Sequence, residues 1–372
     1  MAVRVRFPSR AQNPLFYCKN LSLFTSLQPY FCTMCFRPTV YLTLLLFWFA
    51  SCNQSSKIGR YIAETDTNYT QDIRDISAKI NKDPGNADLY YKRGNTFYYQ
   101  KKYQDASLDF QTSVMLDSQN AMYHFRFGET ILMKDTADPL LAMKHLRKAT
   151  KLKKSFYEAE FALAKLFLYR QMYADAKKGL ESLSEISEYA DKANFYIGVL
   201  HKEQKDTARA MAFFEKALQI NPQQYNAVMQ IALLKANKGE DIALKYFDRA
   251  LAINEFSDEA LYGKGFYLQQ HGNYSDAVKC YDQARLLNPQ HILALYNTAF
   301  ISLANADYTK CIDLCNSLVQ LNPNSSNAYA LRGEAHLKLG NKKAALENYN
   351  AALKIDPNNI PAKTGIQEIK GN

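Results

Sequence analysis

Residues 326–359 read SNAYALRGEAHLKLGNKKAALENYNAALKIDPNN. Ala345, Tyr349 and Ala352 stand at offsets of 0, 4 and 7, which places them on one face of a helix. Gly333 precedes Ala345 by 12 residues. A helix, a short turn and a second helix fit that spacing. The small side chains let a neighbouring helix approach closely, and the tyrosine fills the gap beside them.

The same pattern recurs upstream. Pro289, Pro323 and Pro357 are 34 residues apart, and Pro222 lies 67 before Pro289. Ala345 has counterparts at Ala106, Ala142, Ala176, Ala210, Ala243, Ala277 and Cys311, in steps of 33 to 36 residues. Four residues after each comes a larger group: Phe110, Leu146, Leu180, Phe214, Phe247, Tyr281 and Cys315. The counterparts of Gly333 are Gly94, Gly128, Ala164, Gly198, Ala232, Gly265 and Ala299. Only 14 Gly and 11 Pro in 372 residues argue against a loop-rich β-protein. Ala, Leu, Lys, Gln and Glu dominate from residue 70 onward and favour helix.

A 34-residue helix–turn–helix with Gly, Ala, aromatic and Pro at these places resembles the tetratricopeptide-repeat (TPR) family, with Tyr329 where that repeat usually has Trp. The resemblance implies an all-α, right-handed α-solenoid of about eight repeats, at 87–120, 121–156, 157–190, 191–224, 225–257, 258–291, 292–325 and 326–359. Repeats 3 and 7 are the most degenerate. Repeat 2 carries an insertion at Asp135–Pro139, where Asp138 suits a helix N-cap and Pro139 the first helical position. Repeat 5 is one residue short between Ala232 and Ala243. A capping helix is expected within 70–86, with Ile73, Ile76 and Ile80 on one side, and another within 360–372, with Ile360, Ile366 and Ile369.

The N-terminal region reads differently. Five of the 46 basic residues (Arg4, Arg6, Arg10, Lys19, Arg37) and none of the 36 acidic ones lie in 1–51, so that segment supplies half of the formal +10 charge. Val40–Ala50 is a continuous run of about 11 mostly apolar residues. That is too short for a spanning helix, which needs roughly 17–25 residues, and matches the apolar region of a signal peptide. Phe49-Ala50-Ser51-Cys52 follows and resembles a bacterial lipobox, with Phe49 where Leu is commonest. The resemblance implies cleavage before Cys52 and acylation of its thiol, palmitate included. Residues 34–51 are then the lipoprotein signal, 52–69 a flexible tether, and 1–33 an over-extended, disordered start preceding Met34. An uncleaved N-terminal membrane anchor is the alternative. The expected location is membrane-anchored, at the outer membrane, facing the periplasm or the cell surface.

In TPR proteins the first helix of each pair lines the concave wall, and its second, fifth, ninth and twelfth positions face the ligand. The resemblance therefore assigns a partner groove to the fifth-position residues Tyr91, Phe125, Phe161, Phe195, Met229, Tyr262 and Tyr296, together with Leu233, Phe266, Phe300 and Leu303. The cluster in repeats 5–7 is the leading contact patch for an extended or helical segment of another protein. A structural role is equally open, because TPR sequences commonly carry Tyr at the fifth position. The two-carboxylate clamp of co-chaperones needs Lys, Asn and Arg where this chain has aromatics, and only Asn95 fits.

No catalytic constellation emerges. His124, His145, His201, His271, His291 and His336 are dispersed, and no pair has metal-ligand spacing. Phosphate-loop, dinucleotide, nucleophile-elbow and zinc-protease motifs are missing from the sequence. Cys311 and Cys315 occupy the small and aromatic packing slots of repeat 7. No Lys/Arg run marks a nucleic-acid stripe. The expectation is a membrane-tethered scaffold with no cofactor, metal, nucleic acid or small-molecule substrate. An enzyme or carbohydrate-processing factor with a cryptic groove site is the rival.

Overall fold

The computed structural model describes residues 68–371 except residue 136. The start at 1–33, the signal at 34–51, Cys52 and the tether up to residue 67 lie outside the described residues. Those residues form 18 helices and no strand, an all-α solenoid of helix hairpins. They divide into two compact units, one ending at Leu183 and the other beginning at Ser184.

The first unit opens with α1 (Gln71–Lys82). The hairpins α2 (Ala87–Tyr99)/α3 (Tyr103–Leu116), α4 (Ala121–Ile131)/α5 (Pro139–Leu152) and α6 (Tyr157–Tyr169)/α7 (Tyr173–Ser184) follow. A Cβ on Gly94 would lie 2.8 Å from the ring of Phe110, and one on Gly128 3.0 Å from Leu146. Missing side chains on the first helix therefore admit the bulky residue of the second. Asp138 caps α5 by accepting from the backbone N–H of Leu140 and Leu141, both at 3.0 Å, and Pro139 takes the first turn.

The face by which α1 covers the first hairpin differs from the expected isoleucine stripe. Ile73, Ser77 and Ile80 are buried and Ile76 only half-buried. Ser77 takes the central place because its hydroxyl accepts from Arg93 Nη1 at 2.9 Å and donates to the Ile73 carbonyl at 2.6 Å. Arg93 also grips Asp109 through two bonds of 2.8 Å, and both side chains are 1% exposed. This buried polar triad ties α1, α2 and α3 together.

The second unit comprises α8 (Ala190–Glu203)/α9 (Thr207–Ile220), α10 (Tyr225–Asn237)/α11 (Ile242–Ile253) and α12 (Asp258–Gln270)/α13 (Tyr274–Leu287). It continues with α14 (Ile292–Ala304)/α15 (Tyr308–Leu321), α16 (Ser326–Lys338)/α17 (Lys342–Ile355) and a final α18 (Ile360–Gly371). The ring-into-glycine contact recurs: a Cβ would lie 2.6 Å from Phe214 at Gly198, 2.9 Å from Tyr281 at Gly265 and 2.8 Å from Tyr349 at Gly333. Ala210, Ala243, Ala277, Cys311 and Ala345 are fully buried beside these rings. Cys311 and Cys315 sit in the core of α14–α16, in the small and aromatic slots. At the far end, Ala362 and Gly365 of α18 lie against Tyr349, with Ile366 and Ile369 packed around them, while Ile360 is 72% exposed and takes no part.

Two local devices repeat. Before the prolines, Asn221, Asn288, Asn322 and Asp356 each accept, through the side chain, the backbone N–H two residues on, closing a turn that halts the helix. Asn221 and Asn288 also donate to Asp191 and Asp258, at the starts of their own hairpins, both at 2.8 Å. Within the hairpins, the middle residue of the turn has positive φ: Lys101, Gln171, Lys205 and Ala306, and glycine at 272 and 340.

The short repeat resolves in an unexpected place. Its turn keeps the left-handed residue, Gly239. The missing residue is taken from the first turn of α11, where Ala243 N–H bonds to the Glu240 carbonyl three residues back at 2.9 Å. That tighter turn brings Ala243 to its buried position one residue early.

Candidate protein-binding site

In the first unit, Tyr91 lies against Phe110 and Tyr123, with ring centroids 5.8 and 5.1 Å away. Phe125 is buried against Phe156, and Phe161 lies under the Lys165 ammonium. In the second unit, Phe195 is buried against Phe214 and Met229 is 2% exposed. Tyr262 is buried among Phe266, Tyr281 and His291. Tyr296 packs on the α14–α16 core, and burial, helped by the nearby Cys315 and Glu334, pushes its phenol up to about 12. Most fifth-position residues are thus wedges between helices.

The remaining four positions are more open. Leu233 and Leu303 are half-buried on the flanks of the core clusters, and Phe266 is half-buried beside Tyr262. Phe300 is 43% exposed although it sits mid-helix in α14. Leu293 at the start of α14 is 36% exposed, and half-buried Leu337 occupies in α16 the register of Leu303. Sequence reasoning passed over Leu293 and Leu337 because, of the second and twelfth positions, it singled out Leu303 alone. They stand at the second and twelfth positions, which also face inward on a first helix.

Charged groups frame this apolar face. Burial raises the Glu259 carboxyl, Asp258 adding to the effect and Lys202 opposing it. Burial lowers Lys202, whose ammonium donates to Gln230 Oε1 at 2.5 Å. Burial also raises Glu334, with Lys338 opposing the effect and Glu368 on α18 adding to it. Neither Glu334 nor Glu368 has a cation at ion-pair distance among the described residues. Glu334 and Glu368 thus place two carboxylates outside ion-pair distance of a cation at the α16–α18 end, with Lys338 partly offsetting the charge of Glu334.

Two other features were missed in the sequence. His124 and His145 look dispersed, yet α4 and α5 bring their Nδ1 atoms within 2.8 Å. The run KHLRKATKLKK at 144–154 holds six cations and no acid, and Lys144, Arg147, Lys148 and Lys151 share one stripe of α5. The expectation of no Lys/Arg run overlooked this stripe because Leu146, Ala149, Thr150 and Leu152 interrupt it in sequence. Among the described residues, no group of three or more His, Cys, Asp or Glu is placed to hold a metal, and no helix is long and apolar enough to cross a membrane.

Comparison with known proteins agrees with this architecture. Residues 191–224, 258–291 and 326–359 each match a model described as Tetratricopeptide repeat, so the chain carries TPR repeats, the helix hairpins of protein-interaction scaffolds. No curated protein matches the sequence. Among solved structures, yeast Tom70 is similar at 15% identity and a TM-score of 0.50, over 84% of this chain and 67% of that one. A tetratricopeptide repeat protein from Parabacteroides merdae ATCC 43184 aligns over 68% of this chain and all of its own, at 18% identity and a TM-score of 0.46. PilW, described as a widely conserved type IV pilus biogenesis factor, aligns over 57% of this chain and all of its own, at 18% identity and a TM-score of 0.49. At such identities the Tom70 likeness speaks to fold alone.

Proposed function

We propose that the chain is a membrane-tethered scaffold that holds a partner segment on the first-helix face of its second unit. The observation that carries the reading is Phe300, a large aromatic left 43% exposed in mid-helix. Leu233 and Phe266 share its register in the preceding hairpins, Leu293 and Leu303 lie on its own helix, and Leu337 takes the register of Leu303 on α16. A partner segment with apolar side chains would cover this face and bring it the desolvation that binding hot spots need. Glu334 and Glu368, neither at ion-pair distance of a cation among the described residues, favour a segment with a lysine or arginine beside its apolar residues.

Anchoring rests on the lipobox-like Phe49–Cys52 and the apolar run before it. Several acyl chains would hold the scaffold stably at a membrane, where one chain holds weakly. Labelled palmitate should enter the wild-type chain and not Cys52→Ser; equal labelling of both, or of neither, refutes the tether. For the groove, affinity capture from envelope extracts should return a set of proteins that Phe266→Ala/Phe300→Ala loses. Retention of the same set by that variant, with an unchanged thermal melt, removes the groove assignment.

A further inference from the structure

The α4–α5 hairpin holds a second site, independent of the groove. A pocket of about 540 Å³ opens there, lined by His124, His145 and the cations Lys144, Arg147, Lys148 and Lys151, with Ser118 and Met143. No acidic residue lines it. None of Lys144, Arg147, Lys148 and Lys151 has a carboxylate at ion-pair distance among the described residues, whereas Lys92, Lys177 and Lys279 pair on their own helices. Like charges three and four residues apart repel, so this stripe weakens α5 unless an anion offsets it.

The histidine pair supplies the second element. The Ser118 carbonyl can only accept, so His124 Nε2, 3.1 Å away, carries a proton. In the neutral ring Nδ1 of His124 is then an acceptor, and it takes the Nδ1–H of His145 at 2.8 Å. That chain leaves Nε2 of His145 without a proton. Burial, then the neighbouring His124 and Lys144, hold the His145 imidazole neutral, down to about 4. His145 thus brings a proton acceptor to a pocket that four cations also line.

We propose that this pocket binds a phosphate group, free or carried on a lipid headgroup, between Lys144, Lys148 and His145. The cations meet the anionic oxygens with charge-assisted hydrogen bonds. Their neutralisation relieves the repulsion that keeps His145 unprotonated. The imidazole then takes one proton from solvent and keeps it on Nε2, which donates a hydrogen bond to the phosphate while the Nδ1–H bond to His124 stays in place. A carboxylate offers fewer oxygens to four cations and fits less well.

The test is isothermal titration of the full-length chain in dodecyl maltoside, at pH 6. One arm uses inorganic phosphate, the other dihexanoyl phosphatidic acid below its micelle concentration. Saturable binding of either supports the site, and the arm that binds more tightly names the source. Lys144→Gln/Lys148→Gln should weaken binding about tenfold, and Lys177→Gln/Lys178→Gln on α7 should leave it unchanged. Repeating the titration in buffers of different ionisation enthalpy should show proton uptake that His145→Gln abolishes. Lys144→Gln/Lys148→Gln relieves repulsion along α5, so an unchanged or higher thermal melt is expected for it. Absence of saturable binding in both arms overturns the proposal, as does equal binding by the double variant.

Discussion

Asp109→Asn isolates the buried triad that ties α1 to the first hairpin. The substitution keeps size and shape but removes the charge that answers Arg93. Two hydrogen bonds of 2.8 Å hold the guanidinium against Asp109, and both partners are 1% exposed. The amide offers one oxygen where the carboxylate offered two, and it leaves a cation in a desolvated site. Breaking such a pair costs about 3–5 kcal/mol. A repeat array unfolds in sections, so a global melt would blur the effect. Amide hydrogen exchange read by peptide resolves it. Exchange in α1–α3 should accelerate by roughly two to three orders of magnitude, since each 1.4 kcal/mol is about tenfold. Exchange in α16–α18 should not change. There Arg332 donates to neutral Asn348 and Asn316, both at 2.7 Å, and Asn348→Ala should cost only about 1 kcal/mol. Arg93→Met with Asp109→Leu should recover most of the loss, because the penalty lies in the lone charge. Acceleration of less than about fivefold in Asp109→Asn would mean that water reaches Arg93 and the desolvation argument fails.

Other outcomes follow from the turns, the histidines and the thiols. Ala306 has φ of 61° in an exposed turn where Gly340 has 79°, so Ala306→Gly should raise stability by about 1 kcal/mol and Gly340→Ala lower it similarly, read by denaturant melts. His145 is held near 4 when folded against about 6.5 unfolded, so the unfolded chain binds more protons between these values. Stability of the first unit should therefore fall as pH drops from about 6.5 towards 4, and His145→Gln should flatten that slope in exchange measurements. Cys280, Cys311 and Cys315 are buried, and burial raises the Cys280 thiol. The hydrogen bond with Cys311, then burial, raises Cys315. Peptides containing these residues should stay unmodified when the native chain is treated with iodoacetamide and become labelled in denaturant.

Much of the packing was legible from residue spacing because it depends on size and period alone. Gly198 opposite Phe214 and Gly333 opposite Tyr349 are pairs that a count of small and bulky residues can find. Asp138 and Pro139 announce the start of α5 by their chemistry. Contacts made between helices were harder to read. Ser77 replaces an isoleucine at the centre of the α1 face because Arg93, 16 residues later, needs an acceptor there. The His124–His145 bond spans 21 residues and leaves no local trace. The site divides along the same line. Exposure of Phe300 and burial of Met229 are set by how closely neighbouring hairpins approach, which register alone does not reveal.

The shortened α11 shows how such an array tolerates copying errors. A lost residue would shift every later side chain by about 100° around its helix, the angle implied by 3.6 residues per turn. The tight turn at Glu240–Ala243 absorbs that shift before Phe247 meets Gly263 of α12. Each ring-and-glycine contact thus acts as a frame marker that restores phase locally. Length changes in the hairpin turns are free to accumulate one hairpin at a time, while the face presented to a partner keeps its order.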